Sequence, residues 1–210
     1  MDLKEAYEIL KRHNNILRPL PDHSPLWKKV VIEILEKSAD IETIKAAIFI
    51  AGHIEDAEVA QKLYNFFKKT KDDEIRKMVV ESWNGNLNEK VIEIEFELLG
   101  VRETPFDRYV RQIASHNIVD AIKKLNTVKP NLAKIIISKL KNISLHDSNT
   151  FTRMNTVIIM RLLGDKMFLK DLEKRLEIEK KLIQEGNDDV GIPFVIREIE
   201  KTILFYKEKS

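Results

Sequence analysis

The chain has 210 residues, of which 43% are hydrophobic and 33% charged, and its 36 Lys and Arg nearly balance 34 Asp and Glu, for a net charge of +2. That supplies one sizeable core or one continuous stack of repeats under a dense, mixed-charge surface, and excludes a disordered or polybasic chain. The lack of cysteine excludes disulfides, thiol catalysis and Cys-ligated zinc, and six Gly and six Pro leave little for the turns of an all-β protein. The longest apolar stretch, Ala46 to Ala51, is far short of a membrane span. The polar, acidic start Met1-Asp2-Leu3-Lys4-Glu5 does not resemble a secretory signal. A cytoplasmic protein without membrane contact is expected.

Residues 3–14 read as a first helix, since Leu3, Ala6, Tyr7 and Leu10 share one face. Residues 1–18 would cap the N-terminal end of the helical stack. Pro19, Pro21 and Pro25 enforce a loop, and Pro25 suits the first turn of a helix through Leu26, Val30, Ile34 and Leu35. Ser38-Ala39-Asp40 breaks it, and residues 41–51 form its partner, stopped by Gly52. Residues 57–69 carry Val59, Ala60, Leu63, Phe66 and Phe67 on one side, and Asp72 caps the helix that continues through Met78, Val79 and Trp83. Residues 91–98 alternate as a half-buried strand would, yet Leu87, Val91, Ile94 and Leu98 also align on a helix opposite an acidic stripe of Glu89, Glu93 and Glu97. Glutamate is a good helix former and a poor strand residue, which favours helix. Further helices are expected at 105–115, 118–125, 130–143, 148–163, 167–184 and 192–207.

Five of these helices share a cation followed about two turns later by a small or Gly-rich stop: Lys45, Arg76, Arg111, Arg153 and Arg197, at intervals of 31, 35, 42 and 44 residues. Helix-pair repeats have such periods, and they fold only by stacking. Asp72…Ile75-Arg76…Trp83-Asn84 and Asp107…Val110-Arg111…Ala114 resemble the second helix of short, lyase-like HEAT repeats. Ala51-Gly52-His53-Ile54-Glu55-Asp56 and Leu162-Leu163-Gly164-Asp165 resemble the closing turn of that family. Lys45 replaces the arginine in the first copy, and the last two copies lack the opening Asp. The resemblance covers about residues 25–207 and implies an all-α fold: an α-solenoid of about five stacked HEAT-like helical pairs, one repeat domain over residues 1–210. It also implies that the signature cations link neighbouring helices, since the family's Asp and Arg commonly join adjacent repeats; an Arg fork can bind carbonyls or carboxylates across such a gap.

Catalytic patterns are missing. His13, His23, His53, His116 and His146 show no helical metal-ligand spacing, and the His-Glu pairs of HEAT-like iron hydroxylases are absent. There is no phosphate-binding Gly loop and no nucleophile elbow. Glu93, Glu95 and Glu97 read as a solvated helix face. No cofactor and no metal is expected. Residues 121–146 contain no acidic residue and include Lys123, Lys124, Lys129, Lys134, Lys139 and Lys141. Residues 1–105 carry 16 Lys and Arg against 20 Asp and Glu, and the remainder 20 against 14, so the charge is polarised. Such a band can hold phosphates. Some HEAT-like solenoids of this size are DNA glycosylases, which makes nucleic-acid binding through residues 108–161 the alternative. Trp83 is expected in the core, and Trp27, beside Lys28 and Lys29, at the surface. The favoured reading is a non-enzymatic scaffold that binds a protein on its concave face, at the exposed positions Lys77, Glu81, Arg108, Gln112, His116, Asn155 and Arg161. A dedicated inhibitor or immunity-type protein would read the same way.

Overall fold

The computed structural model describes residues 25–102, 104–124, 140 and 144–208. The expected helices at 3–14 and 130–143, the cap at 1–18, and Lys129, Lys134, Lys139 and Lys141 lie outside them. The described residues are all-helical, with no strand among them: α1 (Pro25–Lys37), α2 (Ile41–His53), α3 (Ala57–Lys69), α4 (Asp73–Ser82), α5 (Glu89–Leu98), α6 (Asp107–Lys124), α7 (Thr150–Leu163), α8 (Leu169–Gln184) and α9 (Ile192–Glu208). A 3-10 turn, Lys166–Phe168, precedes α8. None of these helices is long and apolar enough to cross a membrane. Two compact units result, Met1–Ile94 and Glu95–Ser210, with the boundary inside α5.

In the first unit, acidic caps start three helices. Asp40 accepts from the Thr43 amide at 2.8 Å, Asp56 from Glu58 and Val59 at 2.9 and 3.1 Å, and Asp72 from Ile75 at 3.0 Å. Each satisfies a backbone N–H that has no partner within its helix and places negative charge at the positive helix end. Helix α1 buries Val30, Val31, Ile34 and Leu35. It also buries Trp27, which corrects the expected surface position: 27, 30, 31 and 34 follow the i, i+3, i+4, i+7 spacing of one face. Helix α1 packs on α2 and α3, and α4 on α2 and α3. Lys28 ties α1 to the start of α3, meeting Asp56 and Glu58 at 2.9 Å. Asn86 is buried and donates to the Gly52 carbonyl at 2.7 Å, pinning the end of α2.

In the second unit, α6 is one helix of 18 residues, where the sequence suggested a break near residue 116. The polar residues at that point are satisfied in place. Ser115 donates its hydroxyl to the Gln112 carbonyl at 2.7 Å, and buried Asn117 donates to Glu95 at 2.8 Å. Helix α7 is capped by Asn149 and stopped by Gly164, whose φ of 70° is the left-handed conformation a side chain disfavours. Helix α7 packs against both α6 and α9, and α8 packs on α9. Buried Tyr206 of α9 donates to the Met160 carbonyl of α7 at 2.5 Å.

Glu95 corrects the solvated-face reading of residues 93–97. Glu93 pairs with Lys90 and Glu97 is exposed, but Glu95 points to the opposite side of α5 and is only 1% exposed. Burial pushes its carboxyl well above the usual 4.5, and the Asn117 bond offsets this only in part. The folded chain therefore holds a proton there that the unfolded chain releases, so stability falls as pH rises above about 4.5, by up to about 1.4 kcal/mol per pH unit. Glu95→Gln should be more stable than the native chain at neutral pH, with the gain vanishing below about pH 4. Denaturant midpoints measured across that range test this, and parallel curves for the two proteins would refute it.

Candidate functional site: the α6–α7–α9 face

Three of the five signature cations build the scaffold. Arg76 is 2% exposed and lies over the Phe67 ring of α3 at 4.4 Å. Arg111 of α6 grips the loop before α7, donating to both carboxylate oxygens of Asp147 at 2.7 and 3.1 Å and to the Val101 carbonyl at 3.0 Å. Arg102 adds a bond to Asp147 at 2.7 Å. Arg153 of α7 donates to the carbonyls of Asp147 and Ser148 and to both oxygens of Glu179 on α8, and Arg175 meets the same carboxylate at 2.7 Å. Burial pulls the Arg175 guanidinium below its usual range, with Glu179 opposing that shift. Lys45 and Arg197 differ. Lys45 pairs with Glu42 along its own helix, and Arg197 is exposed.

Asp147 also accepts from the Asn149 amide at 2.7 Å, and Asp189 accepts from the Gly191 amide at 2.8 Å, so α7 and α9 are introduced by the same two-residue turn. The Thr150 hydroxyl donates to Asp189, and this bond, with the Gly191 amide, holds the carboxyl below its usual range against partial burial. These ties fix the start of α7 between its neighbours.

With its inner side so held, α7 presents Phe151, Met154, Ile158 and Leu162 outward at spacings of three and four, Phe151 at 44% and Leu162 at 40% exposure. The stripe spans twelve residues, eleven steps of the helix and about 16 Å. The polar groups beside it are committed to one another. Asn149 donates to Gln112 at 3.2 Å, Asn155 to Ser115 at 2.9 Å, and Arg161 to Glu198 at 2.7 Å. At the N-terminal rim, exposed Tyr109 lies under the Arg108 guanidinium at 4.6 Å, and exposed Phe194 lies 5.8 Å from that of Arg197. The face can bury an apolar surface against aromatic and aliphatic groups and hold anions at its rim. Among the described residues, no three His, Asp or Glu are grouped to hold a metal ion.

Arg108, Gln112, His116 and Arg161 of the sequence-derived set meet on this face. His116 is exposed, 3.5 Å from Asp120. Asn155 is a correction: it is buried at 6% exposure and ties α7 to α6, because its position turns toward Ser115. Lys77 and Glu81 lie in the first unit as a pair 3.7 Å apart on α4, and Glu81 edges a groove with Phe49 and Met78. Lys123 and Lys124 are exposed at the end of α6, while Lys134 and Lys141 lie outside the described residues. The apolar stripe itself was missed. Its signal was the recurrence of Phe151, Met154, Ile158 and Leu162 at spacings of three and four, beside a second side where Thr152, Arg153, Asn155 and Thr156 are buried. Protein-family models, curated proteins and solved structures contain no match to the chain.

Proposed function

We propose that this chain is a cytoplasmic, non-enzymatic scaffold of about five stacked HEAT-like helical pairs, and that it binds a protein partner on the α6–α7–α9 face. Packing inside each unit supports the repeat reading. In the first unit α1 packs on α3 and α2 on α4, the two rows expected of stacked helix pairs. In the second, the helices carrying Arg111, Arg153 and Arg197 pack in sequence, α6 on α7 and α7 on α9. The observation that carries the binding site is the apolar stripe Phe151, Met154, Ile158 and Leu162, outward on α7 beside the pairs Asn149–Gln112, Asn155–Ser115 and Arg161–Glu198.

The partner recovered by crosslinking the full chain in cells should be lost on Ile158→Asp. Its affinity should fall at least tenfold, about 1.4 kcal/mol. Ile158 is half-buried, so a melting curve of the variant is measured alongside to check that it stays folded. Unchanged capture by Ile158→Asp would reject the face. The nucleic-acid alternative rests on exposed Arg108, Lys123 and Lys124. It is tested with a short DNA duplex across a salt series: affinity that falls steeply with salt and weakens on Arg108→Ala would replace the protein-scaffold reading.

A further inference from the structure

Resting on that reading, we infer that the partner is an acidic amphipathic helix whose apolar side covers the α7 stripe and whose carboxylates meet Arg108 and Arg197. Charge selects it. The acids on the face are already engaged: Asp120 faces His116 and Lys123, and Glu198 holds Arg161 at 2.7 Å. Among the described residues, neither Arg108 nor Arg197 meets a carboxylate. Each guanidinium rests instead near an aromatic ring of its own helix. Lys123, Lys124 and Lys201 are exposed on the same helices, α6 and α9. The apolar strip thus runs between two rims of surplus positive charge. A basic partner would bring like charge against both rims, and an acidic one would neutralise them.

Length selects a helix. Four apolar residues over about 16 Å match three turns of an amphipathic helix with anchors at i, i+3 or i+4, and i+7. Met154 gives the stripe an adaptable centre, and Phe151 and Leu162 bound it. Arg and aromatic pairs at the rim suit carboxylates, because the guanidinium fork can turn to a bidentate acceptor without leaving its ring.

The test uses the full chain with methyl labels and two synthetic peptides of about fourteen residues. Both carry leucines at i, i+3, i+7 and i+10; one is otherwise glutamate-rich, the other lysine-rich. The expected result is movement of the Met154, Ile158 and Leu162 methyl resonances with the acidic peptide, at an affinity at least tenfold above that of the basic one. Arg108→Glu with Arg197→Glu, both at exposed positions, should reverse the preference. Equal binding of the two peptides, or preference for the basic one, would overturn the acidic partner and leave the docking face standing. Methyl signals unmoved by either peptide would overturn both. A DNA duplex that moves the same methyls more strongly than the acidic peptide would also overturn the assignment.

Discussion

Glu179→Ala should lower the stability of the second unit by about 3–5 kcal/mol. Its carboxylate has no exposed surface and accepts from Arg153 at 2.6 and 3.1 Å and from Arg175 at 2.8 and 2.7 Å. Both guanidiniums are themselves buried, at 4% and 8% exposure. Alanine leaves two desolvated positive charges facing each other with no anion between them. The loss is that of stranding charges, which exceeds the net worth of the bonds in the intact protein. Arg153 retains the Asp147 and Ser148 carbonyls, which keeps the effect within that range. Glu200→Ala is the control. It removes a pair with Lys180 in which both side chains are about half exposed, and its denaturant midpoint should be nearly unchanged. Equal midpoints for the two variants would show that the buried cluster contributes nothing to stability.

Gly52→Ala should destabilise the first unit by about 3 kcal/mol, at the upper end of overpacking costs. A Cβ at position 52 would lie 2.1 Å from the Ser82 carbonyl oxygen and 2.5 Å from its Cβ. The blocking atom is backbone at the end of α4, so no side-chain rotation relieves it, and Ser82→Gly does not rescue the variant. Helices α2 and α4 must separate, which also pulls Gly52 away from Asn86. Gly164→Ala meets no atom within 4 Å and carries only the strain of its positive φ, so it should cost about 1 kcal/mol. A Gly52→Ala melting midpoint at or above that of Gly164→Ala would contradict the close approach.

Helix existence and caps were legible because they depend on neighbours in sequence. Asp72 caps its helix as expected, and Asp40 and Asp56, read only as a break and part of a closing turn, cap the next helices by the same chemistry. The Glu-rich segment over 91–98 is helix, as propensity favoured over alternation. Features that depend on distant partners were not legible. Separate helices were expected at 105–115 and 118–125, and Glu95 was read as part of a solvated stripe, because Asn117 and Glu95 are explained only by each other, 22 residues away. Asn155 read as an exposed contact because its tie to Ser115 spans 40 residues. Charge counting found the basic bias of the second half, but which cations remain without an acid depends on pairings such as Arg161 with Glu198. The apolar stripe of α7 escaped for a related reason: its polar side, Thr152, Arg153, Asn155 and Thr156, is the buried one, and partners 26 and 40 residues away hold Arg153 and Asn155 there.

The long reach of the buried arginines also bears on how the chain emerges from the ribosome. Arg111 finds Asp147 36 residues downstream, and Arg153 finds Glu179 26 residues downstream. Each guanidinium must lose its water when its helix docks, and each counter-ion is synthesised later than the helix that needs it. The Arg111–Asp147 bonds therefore cannot form before the lead-in to α7 is made, nor the Arg153–Glu179 bonds before α8 is made. A nascent chain halted inside α7 still carries an α7 arginine, Arg153, without the Glu179 carboxylate that receives it in the folded unit.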